Sequence, residues 1–203
     1  MNKSDFLRIG LIGYNKSNGH FFSYPAIING YNKKLFKLLK WPIIFDYLEK
    51  EKIKKFNIRD ARVTSIWCQN YNLSKKISRA CYIKESLKNY KEMLGKVDCV
   101  IIARDDWKSH IKISNFFLKK KIKTFIDKPL TLSKKELIFF SKYLKNKLVM
   151  SCSSFRFTKE LPKIKKLKFD TIKLFTVNDF DKYAIHMLEL AYILGFKKIY
   201  KYK

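Results

Sequence analysis

The side chains best suited to chemistry in this chain are a lysine and a histidine far apart in sequence. Residues 124–132 read TFIDKPLTL, an apolar run that ends in Asp127, Lys128 and Pro129. A proline ring fixes its own backbone and drives the preceding residue towards an extended conformation, so the Lys128 ammonium is held at the end of a strand. An ammonium so held can orient a hydroxyl or stabilise a developing alkoxide. A solvated lysine in a strand-to-helix turn is the plainer alternative. His186 stands between Ile185 and Met187, with Glu189 one turn further on. An imidazole titrates near neutrality and is a natural base for a hydroxyl proton. On an apolar helix face it can equally be a core residue that has found a partner.

A third candidate is the loop Gly13-Tyr14-Asn15-Lys16-Ser17-Asn18-Gly19-His20, which follows an apolar run and precedes a helical one. Glycines in that setting allow a tight turn and let the backbone approach a pyrophosphate at a helix N-terminus. The spacing departs from the usual pattern, because Asn15 takes the second glycine position and the later glycine is displaced to Gly19. An ordinary strand-to-helix turn accounts for the loop as well. An acidic residue after the second strand would bind a ribose hydroxyl. Here a longer insertion leads to Gln69 and Asn70, which leaves NAD versus NADP open.

These residues need a scaffold, and the patterning supplies one. Strands are expected at LRIGLIG (7–13), RVTSIWC (62–68), VDCVIIA (97–103), IKTFID (122–127) and KLVMSCS (147–153). Helices are expected from near Pro25, over NLSKKISRA (72–80) with Asn72 or Ser74 near its cap, and over SLKNYKEMLGK (86–96), ending at Gly95. Two more follow: DDWKSHIKISNFFLKKK (105–121), with aspartates in its first turn and lysines in its last, and LSKKELIFFSKYLKN (132–146). Residues 31–61 read as an inserted strand or turn and a charged helix. Strands alternating with helices predict a doubly wound α/β fold with a parallel sheet. Ligands then bind beyond the carboxyl ends of the strands. The segments at those ends are YNKSNGH, CQNYN, ARDDW, DKP and SCSSF. After residue 153 the pattern changes to the helical spacing of FRFTKELPKIKKLKF, a strand at TIKLFTVNDF (171–180) and an apolar helix at KYAIHMLELAYILGF (182–196).

With 203 residues, 47% hydrophobic and 16% aromatic, the chain reads as a folded globule and not as a disordered one. No run approaches the roughly 18 to 20 apolar residues of a membrane helix, and the N-terminus lacks a signal-peptide core, so no membrane partner is expected and the cytoplasm is the default address. Cys68, Cys81, Cys99 and Cys152 are scattered without a C-x-x-C pair and read as reduced, with no metal site. The net charge of +28 suggests anionic partners. Nucleic acid is disfavoured, because six of the 45 basic residues are arginine and the lysines are spread along the whole chain.

Taken together, these residues resemble the Gfo/Idh/MocA family of NAD(P)-dependent oxidoreductases, named for glucose-fructose oxidoreductase, inositol dehydrogenase and a rhizopine-catabolism protein. The resemblance runs through RIGLIG and His20, NLSKKISRACYI, NYKEMLGKVDCVIIA, DDWKSHIKIS with His110, DKPL in place of a Glu-Lys-Pro motif, SSFRF and YAIHMLE. It implies hydride transfer between a sugar or cyclitol carbinol and NAD or NADP. Lys128 would then orient the substrate hydroxyl and His186 would take or return its proton. Gly13, Tyr14, Asn15, Gly19, His20 and Gln69 would line the cofactor site, and Arg104, Asp105, Trp107, Asp127 and Lys128 would neighbour its nicotinamide end.

Two departures stand out: Lys182 occupies the position where many members have aspartate, four residues before the histidine, and Glu189 stands where aspartate is usual. The resemblance further implies a dinucleotide-binding domain over residues 1–153 and, over 154–203, the start of an α+β substrate domain whose large sheet is mostly missing. The substrate class would be a sugar, sugar-phosphate or sugar-nucleotide, as in cell-surface carbohydrate synthesis. A homo-oligomer is left open. The competing expectation is an inactive relic that binds nucleotide or a partner subunit.

Overall fold

The computed structural model describes residues 5–16, 18–50, 58–164, 170–176 and 180–196. Six strands, β1 (Leu7–Ile12), β2 (Ala61–Trp67), β3 (Glu85–Ser86), β4 (Cys99–Ile102), β5 (Lys123–Ile126) and β6 (Val149–Met150), form one sheet in the order β3-β2-β1-β4-β5-β6. Every pairing is parallel. The order reverses between β1 and β4, which opens a crevice at their carboxyl ends. This is the doubly wound Rossmann-type arrangement the alternation predicts.

The helices are α1 (His20–Asn29), α2 (Lys33–Lys37), α3 (Pro42–Lys50), α4 (Tyr71–Ala80), α5 (His110–Lys119), α6 (Lys134–Lys145), α7 (Leu161–Ile164) and α8 (Phe180–Ile193). One apolar cluster packs α1 to α4 on β1 and β2 through Phe21, Phe22, Phe36, Leu48, Ile66 and Ile77. A second packs α5 and α6 on β4, β5 and β6 through Val100, Phe117, Ile126 and Phe140. Asn29 ties the first cluster together from within. Its amide nitrogen donates to the carbonyls of Val63 (2.9 Å) and Cys81 (3.0 Å), while its oxygen accepts the Val63 N–H at 2.8 Å.

Several expected elements differ. The first helix begins at His20 and carries Pro25 inside it, where the missing N–H removes one helical bond without ending the helix. The 31–61 insertion forms the short helices α2 and α3 where a strand or turn and one charged helix were expected, and residues 51–57 lie outside the described residues. The cap of α4 is Asn70, whose side chain accepts from the Leu73 N–H at 3.0 Å; Ser74 instead accepts the Cys68 N–H at 2.9 Å. The expected helix 86–96 is a 3-10 turn over Tyr90–Met93, fixed by the Asn89 and Glu92 capping box. Asp105 and Asp106 precede a 3-10 turn, Trp107–Ser109, and do not lie in the first turn of α5, since both carboxylates are drawn to basic or amide partners in the loop. Of the helical spacing expected after residue 153, the described part forms the 3-10 turn Ser154–Phe157 and α7, and residues 165–169 lie outside the described residues. Of the strand expected at 171–180, residues 171–176 are not in a strand and 177–179 lie outside the described residues.

Candidate functional site

The tip of β5 is one densely bonded part of the crevice. Asp127 is 1% exposed. Its Oδ2 accepts from Asn18 Nδ2 at 2.9 Å and faces His20 Nδ1 at 2.5 Å, and its Oδ1 accepts the Lys128 N–H at 2.8 Å. Asn18 also accepts the His20 N–H at 2.7 Å, so the start of α1 is tied to β5 through one buried amide. Tyr24 stacks on the His20 ring with centroids 4.8 Å apart, and burial, reinforced by Asp127, raises the Tyr24 hydroxyl well above its ordinary pKa. The next residue, Lys128, is 8% exposed and precedes a cis bond to Pro129. Its ammonium lies 4.9 Å from the centre of the Tyr183 ring. Among the described residues it has no carboxylate partner, and the aromatic face is a weaker counterpart than a carboxylate would be.

A second web joins the tips of β1, β2 and β4. Gln69 Nε2 donates to the Tyr14 carbonyl at 2.6 Å, and Arg104 Nη1 donates to Gln69 Oε1 at 3.1 Å and to the Gly13 carbonyl at 3.5 Å. The remaining Arg104 donors grip Asp106 at 2.8 Å. Burial alone would raise Asp106, but the Arg104 bonds outweigh it and hold the carboxyl below its usual range. Asn15 Nδ2 donates to Asp105 Oδ1 at 2.7 Å. The glycines serve packing first: a Cβ on Gly13 would lie 2.0 Å from Phe21 and one on Gly19 would lie 2.7 Å from Ile44. His110, fully buried, places its ring nitrogens 2.9 Å from the carbonyls of Arg104 and Leu130, joining the Arg104 loop to the turn after Pro129.

Helix α8 crosses the ends of β4, β5 and β6. Lys182 pairs with Asp105 at 3.2 Å, Tyr183 covers Lys128, and His186 Nδ1 meets Ser153 Oγ at 2.6 Å. Glu189 accepts the Ser153 N–H at 3.0 Å and Arg156 Nη2 at 3.1 Å. Residues 182, 183, 186 and 189 share one helix face, so a single helix meets three strand tips. Burial and the nearby Lys128 charge push the His186 pKa down from the ordinary histidine value.

The crevice therefore gathers two groups of the sequence candidates. Asp127, Lys128, His20 and His186 stand around the β5 tip, and Gly13, Tyr14, Gln69 and Arg104 form the other web, with Asn15 and Asp105 between the two. Trp107 begins the 3-10 turn and is half-buried; among the described residues its side chain makes no polar contact with the other candidates. Asn18, Tyr183 and Ser153 are additions that sequence reasoning missed. Ser153 and Asn18 lie in strand-end segments already implicated, and Tyr183 stands three residues before His186 on the same helical face.

The residues are compatible with a dinucleotide. The Arg104 guanidinium and the start of α1 offer positive potential beside the β1 loop, and Gln69 can hydrogen-bond a ribose. The tight Gly13 contact preserves the close helix–strand approach of such loops. Asn15 and Asn18 replace open backbone with side chains already engaged by Asp105 and Asp127.

Comparison with known proteins agrees with this geometry. A family model described as an oxidoreductase family with an NAD-binding Rossmann fold matches residues 45–153. No curated protein sequence matches. Among solved structures, a probable dehydrogenase from Thermotoga maritima is 20% identical with a TM-score of 0.53, over 79% of this chain and 40% of that one. An apo scyllo-inositol dehydrogenase from Lactobacillus casei is 12% identical with a TM-score of 0.58, over 80% and 41%. The same enzyme with bound NAD(H) and scyllo-inositol gives 12% and 0.53, over 79% and 40%. The chain thus spans about 40% of the length of the solved structures it matches. By its family-model match and its fold, this chain belongs to the Gfo/Idh/MocA family of NAD-binding oxidoreductases.

Proposed function

We propose that the crevice exchanges a hydride between a bound nicotinamide dinucleotide and a hydroxyl or ketone of a sugar, sugar-phosphate or sugar-nucleotide. The observation that carries this reading is Lys128, a nearly buried ammonium without a carboxylate partner among the described residues, at the β5 tip and beneath α8. Residues 1–153 form the dinucleotide-binding unit in this reading, and 154–203 begin a substrate domain. When bound, the cofactor supplies the redox chemistry. Gly13, Tyr14 and Gln69 hold its phosphate and ribose end, with Asn15 and Gly19 in the same loop, and Arg104 stands towards the nicotinamide. Lys128 orients the substrate oxygen and balances the negative charge that grows on it. His186, kept neutral by burial and by Lys128, takes or returns the hydroxyl proton. The net charge of +28 favours substrates that carry phosphate, as in cell-surface carbohydrate synthesis.

The test is a thermal shift with NADH and NADPH followed by a panel of sugars, cyclitols, sugar phosphates and nucleotide sugars. A cofactor-induced rise in Tm, and turnover abolished by Lys128→Ala, are expected. A rise in Tm without turnover on the whole panel identifies a nucleotide-binding relic instead.

A further inference from the structure

Beside Lys128 and His186, a second imidazole of the crevice has no part in the proton transfer described so far. His20 Nδ1 lies 2.5 Å from Oδ2 of Asp127. That carboxylate already accepts from Asn18 at 2.9 Å and from the Lys128 N–H at 2.8 Å. A carboxylate only accepts, so the ring proton belongs on Nδ1 and the lone pair on Nε2. Tyr24, parallel to the ring within 9°, fixes its plane. Among the described residues Nε2 has no hydrogen-bond partner, and the side chain is 34% exposed. His20 is also close enough to His186 for its charge to act there.

The other two histidines are held differently. Both nitrogens of His110 face carbonyl oxygens in the interior, and His186 leans on a serine hydroxyl. Lys182, at the position where many relatives have aspartate, is bound to Asp105 and gives His186 no carboxylate. Among the described residues Asp127–His20 is therefore the carboxylate–imidazole pair of this crevice.

The geometry points to His20 as a second proton-transfer residue, which carries the reacting hydroxyl's proton between the crevice and water through Nε2, with Asp127 fixing the tautomer. This rests on the hydride-exchange reading. In the oxidative direction the carbinol C–H bond breaks with its electron pair passing to the nicotinamide ring. The O–H bond breaks as His186 takes the proton, the C=O bond forms, and the proton passes on to His20 Nε2 and then to water. Throughout, Nδ1–H stays on Asp127, whose charge balances the imidazolium. Reduction is the same sequence reversed.

Diethyl pyrocarbonate acylates an imidazole nitrogen with a free lone pair, and the chain's three histidines can be compared in one sample by peptide mass mapping. His20 is expected to react at least about tenfold faster than His110, and Asp127→Asn, whose amide can donate to Nδ1 and move the ring proton to Nε2, to slow it about tenfold. His20→Ala is expected to lower sugar turnover about a hundredfold, with partial rescue by added imidazole.

Equal labelling of His20 and His110, indifference to Asp127→Asn, or unimpaired turnover in His20→Ala overturns the inference while leaving the hydride reading intact. Absence of NADH binding overturns both. Should Asp127→Asn not fold, the labelling comparison in the unaltered chain decides; turnover of no sugar overturns the hydride reading and this inference with it.

Discussion

Lys128 owes its setting to three neighbours: Pro129 behind it, Asp127 bonded to its backbone N–H, and the Tyr183 ring over its ammonium. Replacing it by alanine removes charge stabilisation and not the fold, so turnover should fall about a hundredfold or more with NADH affinity little changed. Steady-state kinetics and a binding titration separate the two effects. His186 makes a pH prediction whose sign is fixed by its lowered pKa. The unfolded chain binds this proton first, near the ordinary histidine value of about 6.5, so stability is lost as pH falls from there through the lower folded value. Urea unfolding at neutral and mildly acidic pH should show a larger loss in the unaltered chain than in His186→Gln. Gly13 is explained by contact: a Cβ there would meet the ring of fully buried Phe21 at 2.0 Å. Gly13→Ala is expected to cost about 1–3 kcal/mol in denaturant unfolding.

At the scale of elements, the strands β1, β2, β4, β5 and β6 were the legible part, whereas the two-residue β3 was not expected and the run 171–176 is not a strand. VDCVIIA is near-continuously apolar because helices cover both faces of the sheet, and it pairs as β4 with β5, the strand of IKTFID. Boundaries decided by side-chain bonds were not legible. Asn70 outcompetes Asn72 as cap because its side chain reaches the Leu73 N–H, and Asn89 with Glu92 closes a short turn where periodicity suggested a full helix. The site was readable as strand-end segments, and Lys128 and His186 were visible as residue types in context. The Asp127–His20 pair was not, since its members lie 107 positions apart and meet only when α1 starts at His20. Asn29 shows how much one buried amide can hold. Asn29→Ala leaves the Val63 N–H without its partner and should cost about 2–4 kcal/mol, measured by urea unfolding.

For the whole molecule, two features set the expectations. The net charge of +28 repels itself, so Tm should rise as salt is increased up to about 0.3 M, where the screening length has fallen to roughly 5–6 Å. Among the described residues no helix is long and apolar enough to cross a membrane, and no cluster of metal-ligating side chains occurs. Helix α8, pinned to Asp105, Lys128 and Ser153, is the part through which segment 154–203 reaches the crevice. Weakening it with Glu189→Gln should reduce turnover more than cofactor affinity. The central claim is that a nicotinamide dinucleotide binds at the tips of β1, β2 and β4, with Arg104 in its site. Fluorescence titration of NADH against the unaltered chain and Arg104→Ala tests it most directly. Saturable binding below about 1 mM, weakened at least tenfold by the substitution, is the predicted result; no saturation up to that concentration, or equal affinity in both chains, would contradict it.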